Sequence, residues 1–239
     1  MKIKLVLSDL DGCINSYVGA PFDLEKISRL KKVLSNRKLP FTFCTGRPKP
    51  YLEAVLQMMD IKLAAISENG GIIFDPATLW TIFTRPEARD VLERATVIVR
   101  EKVIKGLAAF FEPSKQTTIG ILPNDIKDTK TTEELCKRIA GEEYLAKNFA
   151  YNIASNVVNL LPNGVSKKNG VAALLDKLGV DKENVLAIGD SSGDIEFMQY
   201  CKYRACPANS TEDVKKICGY VSKGEDIEGM MDILENLEY

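Results

Sequence analysis

Leu5-Val6-Leu7-Ser8-Asp9-Leu10-Asp11-Gly12-Cys13 decides how the rest of the chain is read. An apolar run of aliphatic and β-branched residues leads into two acids one residue apart, then a glycine. Such a run predicts a buried strand that ends at the acids. Side chains alternate along a strand, so Asp9 and Asp11 can point the same way just past its end. Gly12 permits a sharp turn there. Two carboxylates this close repel, and they stay charged together only with a cation or strong donors between them. The same string also occurs in ordinary turns, and its spacing resembles calcium-binding loops. An EF-hand loop, however, follows a helix, whereas an apolar strand precedes this one.

Working outward, the next segments alternate. Asp23 can cap a helix whose apolar face is Leu24, Ile27, Leu30 and Leu34. Leu39 to Cys44 reads as a second buried strand ending in Thr45-Gly46-Arg47-Pro48. A helix with Pro50 near its start carries Leu52, Val55, Leu56 and Met59 on one face. Ala64 to Ser67 is a third strand, ending in Glu68-Asn69-Gly70-Gly71. Strand–helix–strand–helix–strand order predicts an α/β fold with a parallel sheet and functional groups at the carboxyl ends of its strands.

The rhythm then changes. Ile72 to Phe74 and Leu79 to Phe83 read as a hairpin around Asp75-Pro76. Pro86 to Ile104 reads as helix, and Leu107 to Phe111 and Thr117 to Leu122 read as strands. Thr131 or Thr132 begins another helix, followed by strands at 149–153 and 157–161. This order predicts a smaller α+β domain at 83–161, inserted between two core segments, 1–82 and 162–239. Past Gly164, a helix with Val171, Leu174, Leu175 and Leu178 ends at Gly179. Val185 to Ile188 is a further strand, ending in Gly189-Asp190-Ser191-Ser192-Gly193-Asp194. A short helix, a strand at Tyr203 to Cys206, and a helix from Ser210 or Thr211 come next. Ile227, Met230, Met231, Leu234 and Leu237 make the last helix amphipathic, as core packing requires.

Composition bounds the chemistry. Over 239 residues, 45% are hydrophobic and 27% charged, with net charge −1, as for a soluble globular protein with a sizeable core. No basic stripe suggests nucleic acid, no apolar stretch approaches a membrane span, and the N-terminus lacks a signal-peptide pattern. Six cysteines without a C-x-x-C pair point to reduced thiols in the cytoplasm. With no histidine anywhere, a Ser-His-Asp triad, a Cys-His pair and a His-ligated zinc site are all excluded.

Four strand tips therefore present Asp9 and Asp11, Thr45, Lys167 nearby, and Asp190 with Asp194. Carboxylates without histidine select a hard, oxygen-preferring cation, with magnesium the natural choice. A hydroxyl and an ammonium beside a cation suit phosphoryl oxygens. The succession D-L-D-G, T-G-R, a Lys before a helix, then G-D-S-S-G-D resembles the four motifs of the haloacid dehalogenase superfamily. The insert resembles the α+β cap of its Cof-type and sucrose-phosphatase-like members. The resemblance spans nearly the whole chain and implies a Rossmann-like core with a parallel sheet plus that cap.

It further implies a magnesium-dependent phosphatase. Asp9 would be the nucleophile, Asp11 the acid and then base, and Thr45 and Lys167 the holders of phosphoryl oxygens. Gly46 and Arg47 would lie on the substrate side, and Asn69 with Gly70 would match the family's N-G element. Asp9, Asp11 (by its carbonyl), Asp190 and Asp194 would hold or support the metal. Lys168 competes with Lys167 for the lysine role. Cys13 stands where the family usually has Thr, and Gly193 where it often has Asn.

The compact cap and Cys206-Pro207-Ala208-Asn209 look most like archaeal-type phosphoglycolate phosphatases. The expected partner is thus a small phosphorylated metabolite, phosphoglycolate first and sugar phosphates next. A phosphomutase of the phosphomannomutase type and a non-catalytic phosphate-binding module are the rival readings. Monomer and homodimer stay open. Arg47 either meets substrate or is solvated, and Asn152, Asn156 and Asn159 either contact substrate or serve turns. Trp80 reads as hairpin packing.

Overall fold

A computed structural model describes residues 3–236. The opening strand β1 (Leu5–Ser8) is fully buried, as its apolar sequence requires. α1 (Leu24–Arg37) starts where the Asp23 carboxylate accepts from the Glu25 and Lys26 amides. β2 (Phe41–Phe43) and α2 (Lys49–Met59) come after it, α2 burying the four apolar residues expected of it. β3 (Ala65–Ser67), β4 (Ile72–Phe74) and β5 (Thr81–Phe83) come next. The next segment comprises α3 (Arg89–Ile98), β6 (Ala109–Phe111), β7 (Ile119–Pro123), α4 (Thr129–Gly141), α5 (Glu143–Asn148), β8 (Phe149–Ala154) and β9 (Val157–Pro162). α6 (Lys167–Leu178), β10 (Val185–Ile188), α7 (Ile195–Tyr200), β11 (Tyr203–Cys206), α8 (Glu212–Ile217), β12 (Tyr220–Val221) and α9 (Asp226–Asn236) complete the described chain.

The central sheet has five parallel strands in the order β12-β11-β10-β1-β2. Helices cover both faces. One cluster joins Ile27, Leu30, Leu52, Leu56 and the buried side of α9, and the other joins Leu174, Phe197 and Val214. Leu237, expected on the apolar face of α9, lies outside the described residues. The α+β fold of the insert is a four-stranded antiparallel sheet, β6-β7-β9-β8, with its own apolar cluster around Val99, Ile121, Leu135 and Val158.

Three local expectations need correcting. β3 is not a full member of the parallel sheet: it pairs antiparallel with β4, and a single parallel bridge, Cys44 to Ile66, links it to the end of β2. Such a short apolar strand carries no signal of direction, and the tight Glu68–Gly70 turn sends the chain straight back. α4 begins at Thr129 rather than Thr131 or Thr132, because the Asp128 carboxylate caps the Thr131 amide. The 86–104 helix is interrupted in kind, running from a 3₁₀ turn through α3 into a π-helical turn at Val99–Val103.

α6 bears most directly on the strand tips, since it begins at Lys167. Ser166 caps it through the Asn169 amide, and its first turn packs against the Glu68–Gly70 turn. Gly170 makes that approach possible: a Cβ there would fall 2.6 Å from the Gly70 Cα. Gly70 itself has φ +97°. On helix propensity alone Gly170→Ala should stabilise by about 1 kcal/mol. The close packing reverses the sign, and we expect a net loss of about 1–3 kcal/mol in urea unfolding. A variant more stable than the parent would show that α6 does not dock this tightly.

Candidate active site

The carboxyl ends of β1, β2, β3 and β10 meet under the insert and enclose a cavity of about 150 Å³. Its floor contains Asp9, Asp11, Thr45, Asn69, Lys167 and Asp190, and the insert contributes Glu112, Asn152 and Asn159 to its roof.

Lys167 is the centre of the floor. Its ammonium lies 2.9 Å from Asp9 Oδ2 and 2.6 Å from Asp194 Oδ1, with all three side chains almost wholly out of solvent. Burial opposes the lysine's charge, but the carboxylates of Asp194 and Asp9 outweigh it and hold its pKa well above the ordinary value. Lys168 instead reaches the half-exposed Glu196 at 3.5 Å, away from the cluster. Of the two adjacent lysines, Lys167 is the one that the structure places among the cavity carboxylates. Asp194 is fully buried, and its second oxygen accepts from the amides of Asp190 and Ser191 and from the Ser191 hydroxyl. It shapes the loop that presents Asp190.

Asp9 sits one residue past β1, and its Oδ1 accepts from the Leu10 amide. Burial pushes its pKa up; Lys167 pulls it down, and Asp194 and Asp11 push it up again, to about 7. Burial, then the charges of Asp194 and Asp9, raise Asp190 to about 8. Oxygens of Asp9, Asp190 and Asp194 lie within 4.8 Å of one another. Gly12 permits this crowding, since a Cβ there would lie 2.2 Å from Asp190 Oδ2. Carboxylates this close, with no histidine or thiolate among them, form a donor set that fits a hard divalent cation.

Asp11 is held differently. Arg47 grips it with two hydrogen bonds, Nε to Oδ2 and a terminal nitrogen to Oδ1, each 2.7 Å, and Asn15 donates to Oδ1 at 2.9 Å. The guanidinium also lies 4.5 Å from the centre of the Tyr51 ring. The solvated alternative for Arg47 is thereby corrected, since only 12% of its side chain is exposed. Thr45 is buried at the tip of β2, its hydroxyl accepting from the Arg47 amide. Gly46 faces Asn69, whose Nδ2 is buried without a partner.

The other sequence candidates separate by place. Asn152 and Asn159 line the cavity, whereas Asn156, with φ +64°, donates to the Ile126 carbonyl in a turn. Trp80 packs at the edge of the core beneath Lys177. Cys13 is wholly buried, and burial raises its pKa well above that of a free thiol, which argues for packing rather than reactivity. At Gly193 a Cβ would meet Ser191 Oγ at 3.8 Å and Asn152 Nδ2 at 3.9 Å, so the position has room for a side chain.

Sequence reasoning missed the tie between core and insert. Glu68 is fully buried and accepts from the amides of Gln116, Thr117 and Thr118 and from the hydroxyls of Thr117 and Thr118. Lys115 answers from the other side: its ammonium donates to the Gly46 carbonyl and to Asn159 Oδ1 and lies 3.2 Å from Glu112. The one local hint was Glu68-Asn69-Gly70, whose three residues all adopt positive φ. Such backbone persists only where neighbours over-determine it.

Comparison with known proteins places this geometry. A family model described as haloacid dehalogenase-like hydrolase matches residues 6–110 and 100–234. Phosphoglycolate phosphatase of Methanopyrus kandleri is 27% identical over 241 residues, covering 98% of this chain and 97% of that one. Phosphoglycolate phosphatase 1 of Saccharolobus solfataricus is 25% identical over 236 residues, covering 98% and 96%. Among solved structures, a Thermoplasma acidophilum protein superposes with a TM-score of 0.77 at 20% identity, covering 98% of each chain. A Thermotoga maritima protein superposes with 0.74 at 18% identity, covering 99% of this chain and 98% of that one. These structures share the fold.

The crowded carboxylates predict a pH signature in the metal-free protein. Asp9 and Asp190 have folded pKa values of about 7 and about 8, above their ordinary 3.8. The folded state therefore binds protons more tightly than the unfolded chain. This stability is complete below about pH 4 and is lost as pH rises toward 7 to 8. The melting temperature in chelator should fall between pH 5 and pH 8, and an added hard divalent cation should restore more of it at the higher pH. A midpoint that rises over that range in chelator would contradict the crowding.

Proposed function

The chain belongs to the haloacid dehalogenase-like hydrolases, and from that premise we propose that it is a magnesium-dependent phosphatase acting on a small soluble phosphomonoester. The observation that carries this reading is the Lys167 ammonium held between Asp9 and Asp194, with the Arg47-gripped Asp11 in the same cavity. Phosphatase names among the full-length relatives support it.

In the proposed reaction Asp9 attacks phosphorus, forming a bond from its carboxylate oxygen while the ester P–O bond breaks. Lys167, 2.9 Å away, favours the ionised nucleophile and, with the Thr45 hydroxyl and the Asn69–Gly70 turn, holds the phosphoryl oxygens. Asp11 gives its proton to the departing oxygen, then takes one from the water that cleaves the aspartyl phosphate. Arg47 and Asn15 fix the direction in which Asp11 faces. Asp9, Asp190 and the Asp11 carbonyl would hold magnesium, supported by Asp194, and the bound ion would neutralise phosphoryl charge.

The cavity of about 150 Å³ is well below the ~300–1,000 Å³ of pockets for drug-sized ligands, so a leaving group of few carbons suits it. Phosphoglycolate, the compound in the relatives' names, is one candidate. A sugar or polyol phosphate is the other, favoured by the polar roof of Glu112, Asn152 and Asn159. The insert, 83–161, acts in this reading as a cap that excludes water over a core of 1–82 and 162–239. Six free cysteines, four of them buried, support a reducing, cytoplasmic setting, and no described helix is long and apolar enough to cross a membrane.

Asp9→Asn tests the nucleophile. Phosphate release should fall about a thousandfold or more, while circular dichroism and the cooperative melt stay those of a folded protein. Undiminished hydrolysis would remove Asp9 from the role.

A further inference from the structure

The roof of the cavity carries its own charge pattern. Glu112 follows β6 in the insert and lines the cavity with only 11% of its side chain exposed. Lys115, 4% exposed, holds it at 3.2 Å and is itself anchored on the Gly46 carbonyl and Asn159 Oδ1. The lysine thus fixes the carboxylate in place. Asn152, beside it in the roof, has a buried Oδ1 with no partner. A carboxylate has about four lone-pair sites and Lys115 meets Glu112 at one oxygen, Oε2, so accepting capacity remains at the cavity wall, beside the unpartnered Asn152 Oδ1.

The cations near the cavity are already engaged. Lys167 pairs with Asp9 and Asp194, Arg47 with Asp11, and Lys115 with Glu112. A ligand that brought a second anionic group under this roof would meet the Glu112 carboxylate, with Lys167 and Arg47 committed to the floor carboxylates and Lys115 to Glu112 itself. A ligand that brought a hydroxyl would supply a further donor to the Glu112 carboxylate, or the donor that Asn152 Oδ1 lacks. Resting on the phosphatase reading, we infer that Glu112, positioned by Lys115, is a specificity-determining residue: it accepts a hydrogen bond from a hydroxyl of the leaving group and disfavours a leaving group that ends in a carboxylate. The substrate class is then a short polyol or sugar phosphate rather than a phosphorylated carboxylic acid.

Arg47 offers the competing outcome, because it could turn from Asp11 to a substrate carboxylate. Isosteric pairs separate the two: 2-hydroxyethyl phosphate against phosphoglycolate, and glycerol 3-phosphate against 3-phosphoglycerate. Members of each pair differ only in a hydroxymethyl or a carboxylate. The wild-type chain should favour the hydroxyl member of both pairs by more than about tenfold in kcat/KM. Glu112→Gln, which keeps shape and removes charge, should lower that preference at least about fivefold, while Glu112→Asp should retain it. Wild-type preference for the carboxylate members would overturn the inference, as would an E112Q ratio equal to the parent's. The wild-type ratios need no variant, so a misfolded E112Q still leaves the inference open to refutation. Hydrolysis of p-nitrophenyl phosphate, which carries neither group, reads the phosphatase activity separately. Its absence in the folded chain would remove both proposals, whereas its presence with a carboxylate preference would remove this one alone.

Discussion

A buried ammonium with two carboxylates against it constrains the floor of this molecule more than any other contact. Taking Lys167 out of water costs several kcal/mol, recovered only while both partners stay in place. That requirement fixes three segments at once. β1 must end at Asp9, the loop after β10 must turn so that Asp194 reaches inward, and α6 must begin within reach of both. Asp194 then passes the constraint on by holding the amides of the loop that bears Asp190. The docking of Gly170 on Gly70 belongs to the same demand, since a helix standing further off would withdraw its first lysine.

The roof is fastened by two ties of opposite sign. Glu68, on the core, takes backbone amides of the insert, and Lys115, on the insert, takes a backbone carbonyl of the core. Each satisfies backbone groups across the seam with a buried charge. Between them the roof residues Glu112 and Asn159 are set at a defined height above Asp9 and Asp11, so cavity shape and roof attachment are one problem.

Much of the floor was legible because the sequence writes it locally. Apolar runs that stop at Asp9, Thr45 and Asp190 announce strand tips, and a parallel sheet gathers such tips on one side. Directions and distant partners were not legible. Ala65–Ser67 reads as a strand whichever way its neighbours run, and only the left-handed turn at Glu68–Gly70 explains its antiparallel pairing. Arg47 looks like any arginine near a helix start until Asp11, 36 residues earlier, is brought beside it. Glu68 and Lys115 carry no motif at all: their partners lie 48 and 69 residues away, so their importance exists only in the folded chain.

Glu68 has one more consequence. Its carboxylate gathers the amides of three successive residues, 116 to 118, at one spot on the insert. A single buried carboxylate is thus the keystone of that joint. Its loss would leave three amides and two hydroxyls of residues 116–118 without the acceptor they share.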